Sequence, residues 1–144
     1  MSATQSQTLS FLAELYDGVH VLSTDELWLA LYDANATLGP DTTEYSTDNE
    51  VTGTGYTAGG ALVTGVTIST DSAGAFVSFD NVTWDPAEFT ARCALLYNKT
   101  KDNRAILVLD FGADRTATSD FTVTMPPATI TQALLRSMLY QSLT

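Results

Sequence analysis

The chain has 144 residues, of which 17 are acidic and 6 are basic, so its formal charge at neutral pH is −11. Hydrophobic residues make up 44% of the sequence and charged residues only 16%, which excludes an intrinsically disordered chain and fits one compact domain. So few basic residues cannot neutralise a row of phosphates, which argues against nucleic acid and anionic membranes as partners. The 23 threonines suit the half-exposed faces of sheets and favour a β-rich fold.

An amphipathic helix is predicted at the start of the chain, and we treat residues 1–18 as a helical arm. Between Ser6 and Asp17 apolar residues recur at three- and four-residue spacing, and Gly18 stands where a helix would end. The first residues have neither the basic start nor the apolar core of a secretory signal, and no apolar run approaches the roughly 20 residues of a spanning helix. We therefore expect synthesis in a cytoplasm.

A buried strand and a long loop follow the helix. Leu27 to Tyr32 is an uninterrupted apolar run bounded by turn signals, which is typical of a strand covered on both faces. Residues 33–57 are mostly Thr, Asp, Asn and Gly and predict a long loop. In a compact domain such a loop is usually functional or serves as an interaction arm.

Residues 19–126 are predicted to form an antiparallel β-sandwich or jelly roll, because short β-rich runs alternate with turn signals. In the run from Phe89, strict alternation places Ala91, Cys93, Leu95 and Tyr97 with Phe89 on one dry face. Three aspartates are expected to bracket the turn before the last run: Asp110, Asp114 and Asp120. The predicted strands are Ala61 to Ser69, Ala75 to Phe79, Val82 to Trp84, Phe89 to Tyr97, Ala105 to Phe111 and Phe121 to Met125.

A C-terminal helix is predicted within residues 127–144. Thr129 is placed to cap its start, and the apolar positions follow a helical period: Ile130, Leu134, Leu135, Met138, Leu139 and Leu143. A short helix at a chain end is marginal unless it docks, so we expect it to cover the sandwich or to reach a neighbouring molecule. Without a repeat or a dividing linker, residues 1–144 are expected to form a single domain.

Side chains for catalysis are scarce. His20 is the only histidine and lies in an apolar context, and Cys93, the only cysteine, lies in the inward register of a strand. A zinc site needs three or four Cys or His ligands, and the acidic clusters lack the spacing of calcium loops. We therefore expect no enzymatic activity, no metal and no cofactor.

Two weaker alternatives rest on aromatic and acidic residues. Asp85 or Glu88 beside Trp84 could supply one carboxylate of a glycoside hydrolase, but nothing in the sequence places a second one opposite. A sugar-stacking platform on the sandwich could be formed by Trp28, Trp84, Tyr45, Tyr56 and Tyr97. The apolar context of Trp28 and Trp84 favours a place in the core.

The order of motifs resembles small structural proteins of tailed bacteriophages. After Leu29 to Tyr32 comes the stretch Asn49 to Gly60, which contains Glu-Val-x-Gly-x-Gly-Tyr-x-x-Gly-Gly. The resemblance extends from about Phe11 to Met125 and continues through Phe79 to Trp84, Thr90 to Arg92, Tyr97-Asn98 and Leu109 to Gly112. These features resemble capsid cement, or decoration, proteins. The resemblance implies a short helix, a strand, a long loop and sandwich strands, and it implies no catalytic residue.

We therefore expect a protein of the outer capsid surface of a virion that binds the major capsid protein and stabilises contacts between its subunits. Self-association as a dimer or trimer on the shell is also expected. A tail or head-tail connector component, and a carbohydrate-binding adhesion module, remain alternatives. The candidate contact residues lie in the first helix, the long loop and the C-terminal segment: Leu9, Leu12, Tyr16, Asp41, Tyr45, Glu50, Tyr56, Leu135, Met138 and Leu139.

Overall fold

A computed structural model describes residues 3–130 and 132–138. Within them the chain is mainly β, and all strand pairs are antiparallel. No helix in this part of the chain is long and apolar enough to cross a membrane. The elements are β1 (Ser6–Gln7), α1 (Leu9–Tyr16), β2 (Leu27–Tyr32), β3 (Ala61–Leu62), β4 (Thr67–Thr70), β5 (Gly74–Ser78), β6 (Val82–Trp84), β7 (Phe89–Asn98), β8 (Arg104–Ala117), β9 (Phe121–Val123) and β10 (Leu135–Met138).

The strands form three sheets. The largest has the order β1-β8-β7-β2-β3, a second has the order β10-β5-β4, and β6 pairs with β9. In the five-stranded sheet, alternate residues of β2 enter different hydrophobic clusters: Leu29 and Leu31 join the larger one, whereas Ala30 and Tyr32 join the smaller one. This sheet is therefore buried on both faces, as the apolar run of β2 predicts.

Helix α1 begins later than predicted because Thr8 caps it. The Thr8 hydroxyl accepts a hydrogen bond from the Phe11 N–H at 3.2 Å, while the two residues before Thr8 extend as β1 beside β8. Gly18, at φ 71°, follows the end of the helix, where a left-handed residue is common. Phe11 is buried and fixes the inward side of the helix.

The predicted single dry face of the run from Phe89 is wrong. The pairing register between β7 and β8 shifts between Ala91 and Cys93. As a result Phe89 and Ala91 lie in the larger cluster, whereas Cys93, like Leu95, lies in the smaller one. A register irregularity changes the face to which later residues point, and strict alternation along a sequence cannot anticipate it.

Strand β8 is longer than predicted, so the expected turn is misplaced. Asp110 and Asp114 lie inside the strand, and only Asp120 lies in the turn before β9. The long partner β7 accounts for this, because the β7–β8 pairing runs from Phe89↔Ala117 to Asn98↔Arg104. The first predicted run also differs, since Ala61 to Ser69 is interrupted and forms β3 and β4.

The prediction of a C-terminal helix is wrong for the described residues. Leu135–Met138 form β10, which pairs with β5 from Leu135↔Val77 to Met138↔Gly74. The edge of β5 supplies backbone partners to a segment that would be marginal as an isolated helix, and Leu135 becomes buried in the larger cluster. Leu139 and Leu143 lie outside the described residues.

Candidate functional site

Helix α1 exposes an apolar face. Leu9 is 59% exposed, Leu12 39% and Tyr16 94%, and their three- and four-residue spacing places them on one side of the helix. Leu15, at 38%, extends this face toward the next turn. Contiguous exposed apolar side chains mark surfaces that partner proteins cover. We call Leu9, Leu12, Leu15 and Tyr16 the α1 face.

An ion-paired carboxylate holds α1 against the five-stranded sheet. Glu14 Oε2 accepts a 2.8 Å hydrogen bond from Arg104 at the start of β8, and Glu14 Oε1 lies 2.8 Å from His20 Nε2. The His20 side chain is fully buried and meets the Phe11 ring edge-on at 4.9 Å between centroids. The α1 face is thus presented from a helix that is fixed on its opposite side.

The polar network continues from His20 into the β7–β8 hairpin. Because the Asn98 amide nitrogen can only donate, His20 Nδ1 accepts its hydrogen bond at 2.9 Å, and Nε2 carries the hydrogen that faces Glu14. Asn98 also donates to Asp25 at 2.7 Å, and Lys101 pairs with Asp25 at 3.0 Å. Burial would raise the pKa of Asp25, but hydrogen bonds from Asn98, the Val21 N–H and Lys101 together lower it.

The long loop is held to the fold by a half-buried carboxylate cluster. Tyr45 donates to Glu50 Oε1 at 2.6 Å, and the Tyr56 hydroxyl and the Gly59 N–H donate to Glu50 Oε2, the latter at 2.8 Å. The Tyr56 oxygen in turn accepts the Leu31 N–H of β2 at 2.9 Å. We call Tyr45, Glu50, Tyr56 and Gly59 the Glu50 cluster. Through Tyr56 it joins the end of the loop to the central sheet.

Two further tyrosines extend the Glu50 cluster. Tyr97 of β7 donates to the Gly59 carbonyl at 2.7 Å and stacks on Tyr45 at 4.7 Å between ring centroids. Tyr32 donates to the Ser46 carbonyl at 2.7 Å. Burial, and after it the charge of Glu50, raises the pKa of Tyr97 to about 12, and burial raises that of Tyr45 and Tyr56 as well. These phenols therefore stay neutral and act as hydrogen-bond donors.

The glycines of the Glu-Val-x-Gly-x-Gly-Tyr-x-x-Gly-Gly stretch allow close backbone contact. Gly55 has φ 89°, and a Cβ at this position would lie 1.8 Å from the Pro86 carbonyl oxygen. Gly60 has φ 88°, and a Cβ there would lie 1.8 Å from the Leu29 carbonyl oxygen. The stretch thus has a folding role, because only glycine combines this backbone geometry with such close packing.

Asp41 lies apart from the other loop candidates. It lines an open groove of about 610 Å³ between residues 36–49 and the N-terminal segment, whose wall also includes Thr4, Glu44 and Asp48. The groove is rich in hydroxyl and carboxylate groups. Within the described residues, no three His, Cys, Asp or Glu side chains are arranged to hold a metal ion.

The structure divides the sequence candidates into separate sets. Leu9, Leu12 and Tyr16 share the α1 face, while Tyr45, Glu50 and Tyr56 meet in the Glu50 cluster, where they bind each other. Leu135 lies in β10 beside β5 and is buried in the larger hydrophobic cluster. Met138 ends β10, and Leu139 lies outside the described residues.

Cys93 and Trp84 lie in the interior, whereas Trp28 is only partly covered. Burial raises the pKa of the Cys93 thiol to about 11, so the thiolate is disfavoured. Trp84 is buried among Tyr56, Phe89 and Phe121 and offers no stacking platform at the surface. Trp28 is half-buried, with the Lys99 ammonium 4.1 Å from its ring centroid.

Sequence reasoning missed Ile68, which is 53% exposed on β4. Ile68 and Leu15 line one small groove of about 130 Å³ between α1 and the β10-β5-β4 sheet. The sequence carries a weak signal, since Ile68 is an apolar residue between Thr67 and Ser69. Only the tertiary structure brings Ile68 beside the α1 face.

Comparison of the chain with protein-family models, curated proteins and solved structures finds no match.

Proposed function

We propose that this protein is a bacteriophage virion structural protein, a capsid cement or decoration protein that binds the outside of the icosahedral head. In this proposal it bridges neighbouring subunits of the major capsid protein and stabilises their contacts. The observation that carries the proposal is the α1 face, a set of exposed apolar side chains on a rigidly held helix.

The α1 face can supply enough binding energy for such a role. Burying a leucine side chain contributes roughly 1.5–3 kcal/mol, so Leu9 and Leu12 together with a tyrosine could anchor a contact. Tyr16 is almost fully exposed and combines an apolar ring with a hydroxyl, as interface anchors often do. Because Glu14 and His20 fix the helix, little ordering entropy is lost on binding.

The negative charge of the chain supports a position on the outside of the shell, with acidic turns facing solvent. The net charge of −11 disfavours a position against packaged DNA and keeps free faces from adhering to one another. We propose that the α1 face meets the shell and that acidic turns face outward.

We also propose a sandwich-like, jelly-roll-related arrangement of the sheets. Its support is the composition of the larger hydrophobic cluster, which receives Leu29 from the five-stranded sheet, Trp84 and Phe121 from the β6–β9 pair, and Leu135 from β10. Side chains of all three sheets thus meet in one core.

Heads produced with and without this protein test the proposed function. Heads that lack it should lose their genome at a lower temperature, and adding the purified protein should restore the midpoint. Leu12→Asp should abolish the restoration, because it places a charge in the apolar contact. Thr118→Asp, which adds the same charge in the exposed turn between β8 and β9, is the matched control and should restore the midpoint fully.

Labelling on intact virions gives the location. Many copies spread over the head support a cement role, whereas a single focus at the tail or neck would replace it with the connector alternative. Heads of unchanged heat stability without the protein would overturn the capsid-stabilising role.

A further inference from the structure

Among the described residues, strand β4 has a free edge in the three-stranded sheet. The sheet order is β10-β5-β4, so within residues 3–130 and 132–138 only one side of β4 is paired. The strand is exposed, and Ile68 at its centre is among the most exposed large apolar residues of the described chain. An unpaired edge of this kind is a template for another strand.

The hairpin geometry identifies the backbone groups that point outward. The Asp71 N–H donates to the Gly74 carbonyl at 2.9 Å, which makes Asp71↔Gly74 a hydrogen-bonded pair. Such pairs alternate in an antiparallel ladder, so Thr67 and Ser69 direct their backbone groups to β5. The N–H and C=O groups of Ile68 and Thr70 therefore point away from β5, toward the free edge.

Nothing in the sequence of this edge discourages pairing. Natural edge strands are usually protected by charged residues, proline or very short length. Thr67–Thr70 contain neither charge nor proline. The other edge strands of the described chain are protected: β1 and β3 have two residues, β6 and β9 have three, and β10 carries the charged Arg136.

We propose that two copies of this chain pair through their β4 edges, antiparallel and about a twofold axis at Ile68. The pairing joins two three-stranded sheets into one sheet of the order β10-β5-β4-β4-β5-β10. This dimer goes beyond the capsid-binding proposal and does not depend on it.

The pairing register between the two β4 strands follows from which backbone N–H and C=O groups point to the free edge. With the axis at Ile68, each Ile68 exchanges two backbone hydrogen bonds with its partner copy, and Thr70 faces Val66 of the other copy. The residues that exchange hydrogen bonds across the new ladder are thus those whose backbone groups point outward, while Thr67 and Ser69 face each other as a non-hydrogen-bonded pair. Thr67–Thr70 carry no charge, and in an antiparallel arrangement the outward N–H and C=O groups of one copy meet the C=O and N–H groups of another. This favours a second copy of this chain as the partner.

This register brings one acidic and one apolar contact across the new ladder. Asp71 falls opposite Gly65 of the second copy, where the Asp80 carboxylate of that copy occupies the space of a Gly65 side chain, so two carboxylates approach each other at each end of the ladder and salt should favour the dimer by screening them. The two Ile68 side chains come together on the side of the sheet that faces Leu15, because Ile68 and Leu15 share one groove. The dimer therefore buries a continuous apolar strip.

Light scattering of the full-length protein after size exclusion tests the pairing. We expect a species of twice the 15.4 kDa chain mass that dissociates on dilution, and added salt should strengthen it by screening repulsion. Ile68→Lys places two like charges directly opposite each other and should raise the dissociation constant at least about tenfold. Thr67→Lys adds the same charge to the same strand on the other face, opposite Ser69, and is the matched control with a smaller effect.

Proline at the axis tests the backbone contacts directly. Ile68→Pro removes an N–H that β5 does not use, so the fold should persist by circular dichroism while the dimer is lost. Hydrogen exchange gives a readout in the wild-type chain. Amides of Ile68 and Thr70 should gain protection as concentration rises, whereas those of Thr67 and Ser69 should be protected at every concentration.

Three outcomes would overturn the proposal. These are a wild-type chain that stays monomeric at its highest soluble concentration, a folded Ile68→Pro chain that still dimerises, and exchange at Ile68 and Thr70 that does not depend on concentration. Because all measurements use free protein without heads, they fail or succeed independently of the capsid role.

Discussion

The hydroxyl of Tyr45 donates a 2.6 Å hydrogen bond to Oε1 of Glu50, five residues further along the same loop. The other oxygen of Glu50 accepts from Tyr56 and from the Gly59 N–H. A loop of polar residues thus closes on its own carboxylate, and Tyr56 links that carboxylate to the Leu31 N–H of the central sheet. The loop is built as part of the fold.

Replacing the carboxylate should therefore destabilise the whole domain. In Glu50→Gln an amide group faces hydroxyl and N–H donors, so at least one charge-assisted hydrogen bond is lost. We expect the free energy of unfolding to fall by about 1–3 kcal/mol. Urea unfolding measures this as a lower midpoint at an unchanged slope. Glu44→Gln, the same change at an exposed residue of the same loop, should leave the midpoint in place.

Two glycines with similar backbone angles should respond differently to alanine. Gly60 has φ 88° with the Leu29 carbonyl in the way of a Cβ, whereas Gly112 has φ 82° and open space around it. Gly112→Ala should lose only the roughly 1–2 kcal/mol of a left-handed residue, and Gly60→Ala clearly more. Thermal unfolding of both variants measures the difference. Equal losses would show that the close contact at Leu29 contributes nothing.

Acid should weaken the network around His20 through Asp25. The folded-state pKa of Asp25 lies below its ordinary value of 3.8. The contribution of Asp25 to the free energy of unfolding is therefore present above pH 3.8 and disappears as the pH falls through the folded-state pKa. Asp25→Asn should be less stable than wild type near neutral pH and should depend less on pH in the acidic range. Unfolding midpoints at several acidic pH values test this; parallel curves for both proteins would contradict it.

Alkali should weaken the fold through Tyr97. Its pKa rises from the ordinary 10.0 to about 12 in the folded state, so its stabilisation is complete below pH 10 and is lost progressively toward pH 12. Tyr97→Phe removes both the titrating phenol and its hydrogen bond to Gly59. The variant should start less stable and lose less between these pH values. A slope identical to that of wild type would assign the alkaline loss to other tyrosines.

Local patterns in the sequence were sufficient for many elements. The helix ending before Gly18, the buried run from Leu27 to Tyr32 and most short strands follow from hydrophobic period and turn residues. The scarcity of histidine and cysteine also limited the chemistry to be considered. These features depend on residues close together in the chain, where spacing and backbone preference act directly.

The misplaced elements depended on partners distant in the chain. Residues 135–138 have a helical period, yet the open edge of β5 makes them a strand. Cys93 changes face because the β7–β8 register shifts, which no local pattern encodes.

By itself the sequence determined an acidic, threonine-rich, mainly β chain with an amphipathic first helix, because composition and hydrophobic period select secondary structure. Only the tertiary structure decided which residues are free to bind. It turned Tyr45, Glu50 and Tyr56 inward onto one another and left Ile68 exposed beside Leu15. The physical reason is that hydrogen bonding and burial compete for each side chain, and the outcome depends on which strands and loops meet in space.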